Sequence, residues 1–227
     1  MSCRPVRYFS TSLHSAKHRG GSGSDGWLRR HVKDKYVLQS SVDNYRARSA
    51  YKLLEIDKSC RVLRRGVTVV ECGAAPGAWT QVAADRVGQE GLVVSCDLLH
   101  MEPVPGAVTL SGRDFTSQQT WTEINNIVGD RNIDLVLSDM APNVSGNSSM
   151  DHDAITNLVY SVLKFSLLNA SPGSSLLTKT FNGANHAKLI KDFEACYDRV
   201  KICKPPSSRS ESSELFIFAK NLRKKKK

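Results

Sequence analysis

Four side chains in this 227-residue chain have the types and placement for acid–base chemistry: Lys52, Asp139, Lys179 and Glu214. Lys52 falls in a run of helical periodicity, and each of the others stands at an edge of a short apolar run that reads as a strand. Polar residues at strand ends in an α/β pattern line the crevice where such folds bind ligands. Two lysines among the four point to a poorly acidic hydroxyl as the reacting group, because a desolvated lysine beside a second cation loses its proton more readily and becomes a base. Each residue also has an ordinary reading. Lys52 could be a surface charge of its helix, Asp139 the N-cap of a turn, Lys179 an exposed strand-edge residue and Glu214 a solvated strand terminus.

The segment VVECGAAPGAW at 69–79 supplies a candidate cofactor site, with Gly73, Pro76, Gly77, Ala78 and Trp79 as its residues. Small residues after a strand let the backbone approach a ligand beside the positive end of the next helix, and Pro76 stiffens the turn. The spacing is GxxxG rather than the GxGxxG of dinucleotide binders, which argues against a pyrophosphate. Asp97, twenty residues after Gly77, ends the second strand-like run, where a carboxylate accepts both hydroxyls of a ribose. Asp114 could accept an adenine amino hydrogen while Phe115 packs on the ring. A glycine-rich turn and a ribose acid without a phosphate grip point to S-adenosylmethionine, which carries a sulfonium and an amino acid. Singly, the glycines could be turn residues and the aspartates caps, and Trp79 is as readily core as pocket wall.

These residues need a frame, and the apolar pattern predicts one. A basic helix is expected over 45–56, where Ala47, Ala50, Leu53 and Leu54 recur at helical spacing. Strands are expected at 67–72, 92–96, 107–110, 133–138, 174–178, 200–203 and 215–219, and further helices at 79–87, 117–128, 151–170 and 186–196. Short apolar strands alternating with helices imply a mostly parallel sheet covered on both faces. The last two strands are joined without a helix, through KPPSSRSESSE at 204–214, and should pair antiparallel at one edge. The layout is similar to that of the seven-stranded, Rossmann-like class I methyltransferases.

The net charge of +10 is unevenly spread. Residues 1–24 carry +4 with no acid, 25–65 carry +6, 66–219 carry −6, and the tail from Lys220 adds +6. An acidic body with basic extensions fits a cofactor domain with appended polyanion contacts, although a charge run can also be a merely solvated face. Residues 1–24, rich in Ser and Arg and lacking acids, have the composition of a mitochondrial presequence, with GGSGSDG at 20–26 as a flexible joint; a disordered basic terminus is the plainer alternative. The expected organisation is a presequence and joint at 1–24, a basic RNA-contacting arm and helix at 25–65, the methyltransferase domain at 66–220 and a basic tail at 221–227. In the arm, Trp27, Arg29, Arg30, His31, Lys33, Lys35, Tyr45, Arg46 and Arg48 mix cations with aromatics as RNA-binding segments do, while Trp27 and Tyr45 could equally pack the arm onto the domain. The six scattered cysteines contain no CxxC pair and suggest neither a zinc site nor a disulfide framework, and His31 and His152 have no metal-ligand spacing. No metal is implied, and no apolar stretch is long enough to span a membrane.

Taken in order, YRARSAYKLLEI at 45–56, ECGAAPGAW at 71–79, DLL at 97–99, LSDMAPN at 137–143, LTKTF at 177–181 and SRSESSE at 208–214 make the chain, from about Trp27 to Lys220, resemble the FtsJ-like, or RlmE-type, family of ribosomal RNA 2′-O-ribose methyltransferases. The likeness is strongest to its mitochondrial large-subunit branch. The resemblance implies that Lys52, Asp139, Lys179 and Glu214 form the family's Lys-Asp-Lys-Glu tetrad. Lys179 would be the base that takes the ribose hydroxyl proton, Lys52 would favour its neutral form by like charge and stabilise the developing alkoxide, and the two acids would hold the ammonium groups. It also implies a substrate, a uridine in the aminoacyl-tRNA-contacting loop of mitochondrial large-subunit rRNA, on an assembling subunit in the matrix. Methylation of tRNA or of an mRNA cap by the same tetrad is a rival reading, as is an assembly factor whose catalysis is dispensable.

Overall fold

The computed structural model describes residues 34–142, 148–183 and 185–223, with the side chains of 148–151 set aside. The presequence and joint expected at 1–24, the arm residues up to Lys33 and the tail from Lys224 lie outside the described residues. The chain forms helices α1 (Lys35–Val42) and α2 (Ala50–Cys60), then β1 (Thr68–Cys72), α3 (Ala78–Val87), β2 (Leu92–Asp97), β3 (Val108–Ser111), α4 (Gln118–Val128), β4 (Leu135–Ser138), α5 (Ser148–Asn169), β5 (Ser175–Phe181), α6 (His186–Cys196), β6 (Tyr197–Cys203) and β7 (Glu214–Leu222).

The strands make one seven-stranded sheet in the order β3-β2-β1-β4-β5-β7-β6. The first five are parallel, and β7 runs antiparallel between β5 and the edge strand β6. The hairpin-like link through 204–213 forces that reversal, since a parallel return would need a longer crossover. From β1 the chain winds outward to β2 and β3, then returns to the other side of β1 for β4 and β5. The crevice beyond the carboxyl ends of β1 and β4 is therefore the switch point at which α/β sheets bind ligands.

Each inner strand is apolar on both faces because helices cover both. On one face Val70, Val94, Val136, Leu176 and Ile217 pack against Ile124 of α4, Ile155, Val159 and Phe165 of α5 and Phe193 of α6. On the other, Val69, Val93, Leu135, Leu137, Leu177, Phe216 and Phe218 pack against Ala50, Leu53 and Ile56 of α2 and Trp79, Val82 and Ala83 of α3. No helix among the described residues is long and apolar enough to cross a membrane.

Several expected boundaries shift. α2 starts at Ala50, with 45–49 forming turns in front of it, so the helix expected from 45 is shorter at its N-terminus. α1 was not expected; of its side chains only that of Ser40 is buried, so its apolar signal is weak. It is held instead by polar and ring contacts, Tyr36 donating to Glu55 at 2.9 Å and lying 5.3 Å from the Tyr51 ring. β5 runs past the expected end at 178 to Phe181. Its parallel partner β4 stops at Ser138 opposite Thr178, but β7 continues the ladder to the pair Phe181 and Glu214. Lys179 is thus a strand residue rather than the one after a strand, and Glu214 is the first residue of β7.

Candidate active site

The period of two along a strand decides which side chains meet. Leu135, Leu137 and then Asp139 follow one parity in β4 and just beyond it, and Leu177 and Lys179 follow it in β5. In the β5–β7 ladder Lys179 is opposite Phe216, with Glu214 two pairs further and so on the same face. Leu135, Leu137, Leu177 and Phe216 all lie in the core beneath α2 and α3, so the alternation brings Asp139, Lys179 and Glu214 to that face at its open end. α2 lies over the same face, and Lys52, on its first turn, reaches the group from above.

Two ion pairs result. Lys179, only 7% exposed, donates from Nζ to the Asp139 carbonyl at 2.6 Å and lies 2.9 Å from Oδ1 of the same residue. The approach to Oδ1 is a charge contact, and this buried oxygen has no hydrogen bond. Lys52 Nζ meets Glu214 Oε2 at 2.6 Å, while Ser208 Oγ donates to Oε1 at 2.8 Å. The Lys52 ammonium also sits 5.8 Å from the centre of the Phe216 ring. Burial pushes the Glu214 carboxyl up, but the Lys52 charge and hydrogen bond, the Ser208 hydrogen bond and the Lys179 charge outweigh it and hold the pKa below its ordinary value. That Lys179 acts on Glu214 joins the two pairs into one constellation. Each ammonium is matched to its own carboxylate, so the like charge expected between the two lysines is largely offset.

Asp139 also belongs to a neighbouring cleft of about 540 Å³, whose walls include Gly73, Ala75, Asp97, Leu98, Asp114, Phe115 and Met140. This volume suits a nucleoside-sized molecule. Asp97 ends β2 with Oδ2 accepting from Ala75 N and Oδ1 from Leu99 N, both at 2.8 Å. These bonds fix the carboxylate where a ribose diol could donate to it. Three carboxylates, those of Asp97, Asp114 and Asp139, line the cleft against one cation, Arg113, which pairs with Glu123 at 2.6 Å. Such a site repels polyphosphate and suits a nucleoside bearing positive charge. Gly73 makes the cleft possible. At φ +73°, a Cβ built on it would lie 2.4 Å from Met140 Cγ and 2.9 Å from the Met140 backbone, so only glycine lets the ends of β1 and β4 approach so closely.

Other expected cofactor residues take different roles. Trp79 is buried core; its Nε1 donates to Ser49 O at 2.8 Å and its ring lies 5.7 Å from Phe216. It thereby anchors the start of α2 and so positions Lys52. Ala78 is buried beside it. Pro76 and Gly77 lie outside the cleft walls. A Cβ on Gly77 would meet Arg46, Met101 and Val104, and the Pro76 carbonyl accepts from Arg46 Nη1 at 3.0 Å. Arg46 also donates to Glu102 O at 2.6 Å and Pro103 O at 2.7 Å. Its guanidinium is a clamp between two loops. Phe115 reaches the inner wall, but its ring is buried among Trp121 and Phe165, with centroids 6.2 and 5.1 Å away. Stacking on a base is thus at odds with its place in the core. The apolar side chains offered at the cleft mouth are Leu98 and Leu99, 66% and 67% exposed. Tyr45 packs edge-on to Tyr51 at 5.9 Å, the packing alternative for that residue.

Sequence reasoning missed a second recess, about 240 Å³, lined by Arg48, Ser49, Lys52, Arg209, Ser212 and Glu214. It opens on the Lys52–Glu214 side of the constellation. Arg48 donates to the Ser207 carbonyl there, and burial and the Arg209 charge lower its pKa. Arg209 and Ser208 both lie in SRSESSE, and a basic and a hydroxyl residue just ahead of Glu214 were the available signal. A nucleoside-sized acidic cleft and a basic recess, with four paired acid–base groups between them, can bring a cationic donor and an anionic acceptor to one amine.

The chain is similar to known proteins in both sequence and fold. The model of the FtsJ-like methyltransferase family matches residues 45–222. The chain is 42% identical over 225 residues to rRNA methyltransferase 2, mitochondrial, of Drosophila melanogaster, covering 96% of this chain and 90% of that protein. It is 39% identical over 196 residues to Ribosomal RNA large subunit methyltransferase E of Psychrobacter arcticus, covering 86% and 93%. Among solved structures, a Plasmodium falciparum protein assigned as a ribosomal RNA methyltransferase superposes with a TM-score of 0.71 at 25% identity, covering 78% of this chain and 98% of that one.

Proposed function

The chain belongs to the FtsJ-like methyltransferase family, and from that premise we propose that it methylates the 2′-hydroxyl of a ribose in ribosomal RNA with S-adenosyl-L-methionine as donor. The observation that carries the reading is the double membership of Asp139, which lines the acidic cleft and also grips Lys179 through two contacts. A base is thereby fixed against the end of the donor site. When bound, S-adenosyl-L-methionine supplies an electrophilic methyl group on a sulfonium centre. Asp97 would hold its ribose hydroxyls, and the carboxylates of the cleft would complement its positive charge.

The remaining work falls to the chain's own groups. The Lys179 amine, in its neutral form, takes the proton of the ribose hydroxyl, and Asp139 keeps that amine aimed and stabilises the positive charge that forms on it. Lys52 donates toward the developing alkoxide and is itself held by Glu214, whose second oxygen is fixed by Ser208. Holding hydroxyl and base in one geometry contributes as much as the proton transfer, because two freely diffusing partners need not then be brought together. Arg48 and Arg209, beside Lys52, offer positive charge to the phosphates flanking the target ribose.

The finer reading is a uridine in the aminoacyl-tRNA-contacting loop of mitochondrial large-subunit rRNA, modified on an assembling subunit in the matrix. The sequence motifs support it, as do the names of the relatives, one a mitochondrial rRNA enzyme and one a large-subunit rRNA enzyme. The basic arm and tail would add phosphate contacts. The test is Lys179→Met, assayed by transfer of labelled methyl to ribosomal RNA and by calorimetry with S-adenosylmethionine. Transfer should fall by about 10³-fold or more, while cofactor affinity stays within about threefold. Parallel loss of both would make Lys179 a structural residue and overturn the assignment.

A further inference from the structure

The same sheet face carries a second reactive cluster beyond α2. Cys60 ends α2 and Cys203 ends β6, 143 residues later, and their sulfur atoms lie 3.7 Å apart. Bond formation needs a sulfur separation of about 2.05 Å, so the approach required is a small one. Lys201 lies two residues before Cys203 on the same strand face, and its Nζ donates to Cys60 Sγ at 3.4 Å; Ser59 Oγ is also 3.4 Å from that sulfur. Cys60 is half-buried and Cys203 buried, so a reagent reaches one sulfur with the other shielded behind it.

The electrostatics divide the pair in the same sense. Burial raises the Cys60 thiol, but the hydrogen bonds of Ser59, Cys203 and Lys201 and the Lys201 charge outweigh it and leave the pKa lowered. Cys203 is pushed up to about 12, by burial first and then by Cys60. A lowered, reachable thiol with a shielded second thiol behind it is the arrangement of an attacking and a resolving cysteine. The described cysteines elsewhere differ: Cys72 and Cys96 are buried with raised pKa values, and Cys196 is raised by burial.

The approach to Cys60 is selective for charge. A recess of about 170 Å³ is lined by Cys60, Arg199, Lys201, Phe218 and Lys220, three cations with no acid among them. Arg199 and Lys220 are direct partners in the β6–β7 ladder. Like charges facing each other across strands oppose pairing, and an anion between them would relieve the strain.

We propose that Cys60 and Cys203 form a redox-active dithiol oxidised by anionic disulfides that enter over Arg199, Lys201 and Lys220. The Cys60 thiolate attacks one sulfur of the disulfide, whose S–S bond breaks to release the first anionic thiolate; this takes up the proton that Cys60 had lost. The Cys203 sulfur then attacks Cys60 Sγ and displaces the second thiolate, which takes the Cys203 proton. Two protein thiols are oxidised to one disulfide, and one small disulfide is reduced to two thiols. The new bond would tie the end of α2, eight residues beyond Lys52, to the edge strand beside β7.

The test uses the full-length chain, reduced, desalted and exposed at one pH to oxidised glutathione, which is anionic, or to cystamine, which is cationic. Cys60–Cys203 linked peptide is quantified by mass spectrometry over time. The link should form about fivefold or more faster with oxidised glutathione at low salt, and the preference should collapse in high salt and in Arg199→Gln/Lys220→Gln. Cys203→Ser should stop at a mixed disulfide on Cys60, and Cys60→Ser should give neither product. Absence of the Cys60–Cys203 peptide with both reagents, oxidation confined to other cysteines, or equal rates with the two disulfides would overturn the proposal.

Discussion

Replacing Lys52 with methionine isolates what the Lys52–Glu214 pair does for the fold. Methionine keeps the unbranched stem over Phe216 and deletes the ammonium, so packing changes little and Glu214 loses its 2.6 Å partner. Breaking a fully buried ion pair costs about 3–5 kcal/mol. Here the side chains are 15% and 10% exposed, and Ser208 and Lys179 still act on Glu214, so about 2–3 kcal/mol is expected at pH 7. The sign of the pH dependence is the sharper test. In the native chain the folded Glu214 pKa lies below its ordinary 4.5, so its contribution is full above that value and is lost as pH falls through the lowered one. Without Lys52, burial becomes the dominant influence, and the carboxyl should titrate above its ordinary value in the folded state. The penalty in Lys52→Met is then relieved as pH falls toward about 4.5, where the gap to the native chain should narrow to about 1 kcal/mol. Urea denaturation followed by fluorescence of the buried Trp79 and Trp121, at pH 7, 5.5 and 4.5, measures this. In Lys52→Met/Glu214→Leu no charge is stranded, and most of the pH 7 loss should return, less about 1 kcal/mol for the Ser208 hydroxyl left without its acceptor. A gap that stays constant or widens on acidification would refute the reasoning.

Two further substitutions probe β1 and the turn that follows it. Glu71 is fully buried in β1, with Thr80 and Ser95 each donating to Oε2 at 2.7 Å, and burial outweighs those bonds to raise its pKa to about 7. An acid raised in the folded state stabilises below its ordinary 4.5 and loses that stability as pH rises through about 7. Glu71→Gln keeps an acceptor for both hydroxyls and should remove this slope, matching the native chain at pH 5 and exceeding it by roughly 2–3 kcal/mol at pH 8.5 in thermal or urea unfolding; an unchanged slope counts against a buried, titrating Glu71. Gly73→Ala should cost about 1–3 kcal/mol of cofactor binding energy, because its Cβ meets the Met140 backbone. Calorimetry with S-adenosylmethionine checks it, and native affinity would mean that the two strand ends can part freely.

The parts of this protein legible in its sequence were those set by short-range pattern. Buried parallel strands need unbroken apolar runs, so β1, β2 and β4 were found nearly in place, and Asp97, Asp139 and Gly73 followed because strand ends in this topology open at one edge. The antiparallel ending was legible from the lack of a helix between the last two strands. Grouping Lys52 with Asp139, Lys179 and Glu214 needed the family resemblance, because a lone lysine in a helical run looks like a surface charge. The geometry of the group then came from the ladder register, which no single run of residues displays.

A motif read as one ligand site divides in the structure, because adjacent positions face different neighbours. Gly73 faces Met140 and shapes the cleft, whereas Gly77, four residues on, faces Arg46 and the 101–104 loop. Trp79 starts a helix whose inner side is the core, and it serves the reaction only by fixing Ser49, three residues before Lys52. Phe115 follows Asp114 into the cleft wall, but its ring completes an aromatic cluster with α4 and α5. Arg46, Arg48 and Lys52 lie within seven residues of one basic segment, yet the first binds three carbonyls of neighbouring loops, the second the carbonyl of Ser207, and the third a carboxylate of the tetrad. Of the three cations, Lys52 has a carboxylate as its partner across the fold, and that acid is itself held in place. Ser208 and the start of β7 fix Glu214, and this is why one cation of the segment enters an ion pair with a carboxylate while Arg46 and Arg48 reach backbone carbonyls.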